Sequence, residues 1–119
     1  MSKIQVSARL KIQNDKIQEL KKLAVEYINE VREKDRGNLQ CDWFLSNDKS
    51  ECEIRETYES SQAALIHQSN LGDMISTIFR KIGKPYSLTI YGDPSPELLE
   101  NARVAGLEAK IYSLLIGLG

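Results

Sequence analysis

His67 is the only histidine in the sequence, and imidazole is the side chain whose ordinary chemistry exchanges a proton near neutral pH. It closes a run that begins Glu53-Ile54-Arg55-Glu56-Thr57-Tyr58 and continues Glu59-Ser60-Ser61-Gln62-Ala63-Ala64-Leu65-Ile66-His67. Glu56 brings a carboxyl group, Tyr58 a phenol and His67 a base to one short stretch. Trp43, the lone tryptophan, and Tyr91 add aromatic surface that can stack on a ring or close a pocket mouth. Each residue also has a plainer reading. His67 can cap helix packing or pair with Glu56 or Tyr58, and Glu56 can form an ion pair with Arg9 across a sheet. Trp43 can be core or intersubunit surface, and Tyr58 and Tyr91 can simply pack at strand ends.

Other chemistries find little support. The seven glycines sit at helix ends, at turns and near the C-terminus, and none forms a phosphate-cradling loop. One histidine and two separated cysteines do not have zinc-ligand spacing. Lys and Arg total 16 and Asp and Glu 17, for a net charge of -1. That balance speaks against a nucleic-acid partner, which needs clustered positive charge, and against a polybasic membrane anchor. No apolar stretch approaches the roughly 20 residues that span a bilayer. Met1-Ser2-Lys3-Ile4-Gln5 runs directly into an alternating pattern, so no signal peptide is expected. Cys41 and Cys52 fall on neighbouring predicted strands, with Cys41 opposite Arg55–Glu56 and Cys52 opposite Leu45. That register is too far out for a disulfide, and reduced thiols point to a cytoplasmic location.

The 119 residues suit one domain. Ile4, Val6, Ala8, Leu10 and Ile12 alternate with polar residues, the pattern of a half-buried strand. Asn14-Asp15 with Gln18 suggests a capped helix start. Ile17, Leu20, Leu23, Tyr27 and Val31 then repeat at helical spacing, with Gly37 as a left-handed stop. Strands are expected over 39–45 and 51–58, joined by a hairpin loop. A second helix is expected to open at Ser60 or Ser61, break near Ser69-Asn70 and Gly72, and resume to Gly83. A fourth strand covers 86–91. The order βαββαβ predicts an α+β, ferredoxin-like antiparallel sheet with helices on one face. Beyond this core, residues 3–92, lies a C-terminal extension over 93–119. Ser95 and Pro96 start a short helix there, and a last strand over 107–116 is expected to join its own sheet edge or a partner's.

The strand ending Glu56-Thr57-Tyr58, the turn at Ser60-Ser61 and the Ala63-x-x-x-His67 spacing together resemble the antibiotic-biosynthesis-monooxygenase family of dimeric α/β barrels. Gly37 before an aromatic-bearing strand and the segment Tyr91-Gly92-Asp93-Pro94-Ser95-Pro96 resemble it as well. The likeness covers about residues 4–92, and the extension more loosely.

The resemblance implies a homodimer with sheets packed face to face and a pocket between sheet and helices. It implies a cofactor-independent monooxygenase acting on a small aromatic or quinol substrate and molecular oxygen. A phenolate can itself pass an electron to oxygen, so the protein need only bind the ring, favour its deprotonated form and exclude water. In that reading His67 is catalytic, and Trp43, Tyr58, Tyr91 and Glu56 bind substrate. The alternative is a non-catalytic dimeric protein that binds a small metabolite. Haem degradation, found in related proteins, fits poorly. Tyr58 stands where those proteins carry Trp, and the first strand has no Asn.

Overall fold

The structure is a computed structural model describing residues 3–119. Met1 and Ser2, on which part of the signal-peptide reading rests, lie outside the described residues. Strand β1 (Ile4–Lys11) leads through a 3-10 turn (Asn14–Lys16) into α1 (Ile17–Lys34), and the hairpin β2 (Asn38–Leu45) and β3 (Glu51–Tyr58) comes next. Then come α2 (Ser61–Lys81), β4 (Ser87–Tyr91), α3 (Pro96–Val104) and β5 (Ala109–Tyr112). The sheet order is β2-β3-β1-β4-β5. The first four strands pair antiparallel, and β5 adds in parallel to β4. This is the expected α+β, ferredoxin-like βαββαβ arrangement, extended by one helix and one strand.

Alternation sorts the side chains onto two faces. Ile4 pairs with Tyr58, Val6 with Glu56, Ala8 with Ile54 and Leu10 with Cys52. Cys41 sits across from Glu56 and Trp43 from Ile54. These residues look toward α1 and α2, whose buried stripes include Leu20, Leu23, Tyr27 and Val31 on one helix and Ala64, His67, Leu71 and Ile78 on the other. Gln5, Ser7, Arg9, Glu53, Arg55 and Thr57 take the opposite face.

That register corrects one expectation. Arg9 meets Glu53 rather than Glu56, at 3.4 Å, and Ser7 also donates to Glu53. Glu56 is turned the other way, under the helices. The cysteines are free, with Cys41 opposite Glu56 and Cys52 opposite Leu45, as their spacing predicts.

Four local expectations also change. The Asn14-Asp15 cap does not form, because the chain takes a 3-10 turn before α1. Gly37 is not a left-handed stop. A Cβ there would lie 2.6 Å from the Ala63 Cβ, so glycine lets the α1–β2 turn close onto α2. Helix α2 is continuous through Asn70 and Gly72, since Leu71 is buried in the core and Asn70 bonds across to the end of α1. Tertiary contacts override the local breaking signal here. Last, β5 is shorter than its apolar pattern suggests. The rest of that pattern runs outward, with Leu114, Leu115, Ile116 and Leu118 exposed. No helix among the described residues is long and apolar enough to cross a membrane.

Candidate active site

Helix α1 ends where the Asp35 backbone N–H bonds to the Val31 carbonyl at 2.9 Å, and the Asp35 side chain is then turned inward. There Asp35 Oδ2 meets His67 Nδ1 at 2.5 Å, while Asp35 Oδ1 accepts from Asn70 Nδ2 at 2.7 Å. The other imidazole nitrogen, Nε2, lies 2.5 Å from the Tyr27 hydroxyl. Tyr27 is also 2.9 Å from Glu56 Oε1. The second Glu56 oxygen accepts from Tyr58 and from Asn38 Nδ2 at 3.1 Å, and lies 3.4 Å from His67 Nε2. Five buried side chains thus form one chain of contacts: Asp35, His67, Tyr27, Glu56 and Tyr58. Helix α2 supplies His67, α1 supplies Tyr27, and β3 supplies Glu56 and Tyr58.

The donors and acceptors fix how the protons lie. Asp35 accepts from Asn70, so His67 donates to it through Nδ1. Nε2 faces the Tyr27 hydroxyl, which stands between that nitrogen and Glu56. The tyrosines keep their protons. Burial and then the Glu56 charge push the phenols of Tyr27 and Tyr58 well above their ordinary range. The Cys41 thiol beside them is pushed up by the same two causes.

This polar chain forms one end of a cavity of about 440 Å³. The rest of the wall is mostly apolar: Val6, Ala8 and Leu10 of β1, Leu88 and Ile90 of β4, and Ile75, Ile78 and Phe79 of α2. Helix α3 and the turn after it close the remaining side with Leu98, Ala102, Val104 and Leu107. Ser95 caps α3 by accepting from the Leu98 N–H, and the Ser95 N–H bonds to Ser61 Oγ at 3.0 Å, holding α3 against α2. Asn101 Nδ2 donates to Gln68 Oε1 at 3.0 Å across the same seam, and both residues line the cavity. A mostly apolar cleft of this size with a few convergent polar groups is the usual form of a small-molecule site.

Three residues singled out in the sequence meet in this cavity: His67, Glu56 and Tyr58. Two, Trp43 and Tyr91, lie outside it. Trp43 packs edge-on against Tyr27, with ring centroids 5.3 Å apart, and stands behind Tyr27 instead of in the cavity wall. Its indole N–H is buried. Tyr91 lies on the opposite sheet face, stacked on Tyr112 at 5.6 Å and bordering a separate polar recess with Gln5, Gln40 and Arg55. Strand alternation is the reason, since Ile90 takes the buried position and Tyr91 the exposed one. Sequence reasoning missed Asp35, Tyr27, Asn38 and Asn70. Tyr27 had a signal, being the one hydroxyl on the apolar stripe of α1.

No protein-family model and no curated protein matches the chain. Solved structures do. MupZ from Pseudomonas fluorescens is 16% identical, superposes with a TM-score of 0.80, and the match covers 98% of this chain and 93% of that one. Rv0793 from Mycobacterium tuberculosis is 21% identical, with a TM-score of 0.66 over 78% of this chain and 96% of that one. A protein from Nitrosomonas europaea, provisionally named an antibiotic biosynthesis monooxygenase, is 19% identical with a TM-score of 0.64, over 80% and 92% of the two chains. The chain has the antibiotic-biosynthesis-monooxygenase fold. The match to MupZ spans nearly the whole chain, so the cavity wall made by α3 lies within it. The other two leave about a fifth of this chain unmatched.

Among the described residues, no group of three or more His, Cys, Asp or Glu is arranged to hold a metal ion. The polar end of the cavity presents the His67 imidazole, the Glu56 carboxyl group and two phenols that keep their protons.

Proposed function

We propose that this protein is an enzyme that takes a proton from a hydroxyl-bearing, otherwise apolar small molecule. In its fullest form it is a cofactor-independent monooxygenase of an aromatic or quinol-type substrate. The observation that carries the reading is the Asp35–His67–Tyr27–Glu56 chain, ending in an apolar cavity. Asp35 orients His67 through Nδ1, and Tyr27 links Nε2 to Glu56. A substrate hydroxyl at this end can lose its proton to the chain, and the apolar wall keeps water away from the reactive anion and its radical.

The chemistry balances without an added reductant. A deprotonated dihydroxyarene gives one electron to oxygen, and the radical pair couples to form a C–O bond. The resulting peroxide loses water to leave a hydroxyquinone. One oxygen atom enters the ring, the other leaves as water, and the substrate supplies all the electrons. The reading brings with it a homodimer built on the sheet face away from the helices, where Phe44 and Tyr91 are exposed, and a reduced, cytoplasmic setting for Cys41 and Cys52.

The test is oxygen uptake with a panel of hydroquinones and naphthols. The wild type consumes oxygen and forms an equal amount of hydroxyquinone from a hydroquinone or of quinone from a naphthol, and His67→Ala loses at least a hundredfold in rate. No uptake with any phenol or quinol would remove the oxygenase reading, and unaltered ligand binding by His67→Ala would leave a binding protein.

A second reading is favoured by one feature of the same chain. Tyr27 and Tyr58 stay protonated beside Glu56, so a proton donor and a proton acceptor stand together. A redox-neutral rearrangement needs both and needs no oxygen. Product formed at the same rate under argon would select it.

A further inference from the structure

Gly72 sits near the middle of α2, the least favourable place for glycine in a helix apart from proline. The usual reasons for a glycine are absent. Its backbone is not in the left-handed region, and a Cβ built there would meet no heavy atom within 4 Å. It is therefore required neither by a turn nor by a close neighbour. Gly37 gives the contrast, since a Cβ there would strike Ala63.

What Gly72 does face is the cavity. It lines the wall together with Gln68, Ile75 and Phe79, the residues four before, three after and seven after it on one helical stripe. One end of the cavity, at Glu56, Tyr58 and His67, gathers a carboxyl group, a phenol and an imidazole that can meet a hydroxyl, and the amides of Gln68 and Asn101, bonded to each other, are the other polar side chains in the wall. The remainder is mostly apolar and much larger than one ring. An apolar cavity of about 150 Å³ is filled by a single benzene, whereas this one is about 440 Å³.

We propose that Gly72 is a specificity-determining residue. The space it leaves on α2 receives the apolar body of a ligand whose hydroxyl end lies at Glu56 and His67, and that body is larger than a single ring. This rests on the reading of the cavity as the substrate site. Any side chain at position 72 shortens the ligand the cavity can hold and leaves the hydroxyl end untouched.

The experiment uses two probes that share a head and differ in body, phenol and 4-hexylphenol. Their affinities are measured by calorimetry for the wild type, Gly72→Ala, Gly72→Leu and the outward-facing control Ile66→Ala. The wild type binds 4-hexylphenol at least tenfold more tightly than phenol. Gly72→Leu loses at least tenfold for 4-hexylphenol and less than twofold for phenol, Gly72→Ala falls between, and Ile66→Ala changes neither. Thermal melting of Gly72→Ala at or above the wild-type temperature shows that the fold is intact. If Gly72→Leu binds both probes as the wild type does, or loses both equally, the assignment of Gly72 is overturned while the cavity remains a binding site. If the wild type binds neither probe, the reading of the cavity falls, and the role of Gly72 with it.

Discussion

Asp35 and His67 are 32 residues apart in the chain and 2.5 Å apart in the folded protein. The contact joins the end of α1 to the middle of α2 and decides which nitrogen of His67 carries the proton. Asn70, one turn along α2, holds the other Asp35 oxygen. The His67 ring is thus aligned by groups that do not line the cavity.

Asp35→Ala would leave the Nδ1–H of His67 and the Asn70 amide without their acceptor in a buried site, at a cost of about 3 kcal/mol. Urea unfolding measures it. Nitrogen-15 NMR of the imidazole is the sharper readout, showing the Nδ1–H tautomer in the wild type and a mixture of tautomers in Asp35→Ala.

Tyr27→Phe removes the hydroxyl that links His67 to Glu56 while keeping the ring edge that packs on Trp43. Glu56 retains Tyr58 and Asn38 as donors, so the stability cost should be modest, on the order of 1–2 kcal/mol. Turnover should fall much further, by about a hundredfold. Equal turnover by Tyr27→Phe and wild type would remove Tyr27 from the proton path.

Stability should decline on the alkaline side. In the fold the Cys52 thiol is pushed up to about 11 by burial, and Cys41 lies higher still. Tyr27 and Tyr58 lie well above their ordinary value. Below about pH 8.5, the ordinary thiol value, folded and unfolded chains alike hold these protons, and stability is flat with respect to them. As pH rises, the unfolded chain releases the thiol protons first and the phenol protons from about pH 10, while the fold keeps both. Urea midpoints should therefore be level between pH 7 and 8 and fall steadily from pH 9 to 11. Replacing both cysteines with alanine should delay the start of that fall.

Two glycines should respond in opposite directions to the same change. Gly72→Ala adds a methyl group in open space on a helix and should stabilise by about 0.5–1 kcal/mol. Gly37→Ala drives a methyl group into Ala63 and should cost about 1–3 kcal/mol. Thermal melts of the two variants give the comparison.

Much of the fold is written in local pattern. The alternation of Ile4, Val6, Ala8 and Leu10 and the helical spacing of Leu20, Leu23, Tyr27 and Val31 give the elements and the faces they bury. Ser95 and Pro96 mark the start of α3. The site was legible only in part. His67, Glu56 and Tyr58 were visible as a run because β3 turns straight into α2. Asp35 and Asn70 reach the site through tertiary packing alone, and each looks locally like a helix end or a helix breaker. Trp43 and Tyr91 fall outside the cavity for a related reason, since aromatic character says nothing about which side of a strand a cavity lies on. The cavity wall from α3 could not be foreseen, because the Ser95–Ser61 and Asn101–Gln68 contacts are long-range.

The proposed chemistry stands or falls on one step, in which the buried chain from Asp35 to Tyr58 takes a proton from a hydroxylated ring lodged in the cavity. The ultraviolet difference spectrum of a hydroquinone bound under argon at pH 7 reads this directly. The phenolate band should appear with the wild type and be lost in His67→Ala, whereas a bound ring that stays fully neutral in the wild type would contradict the account.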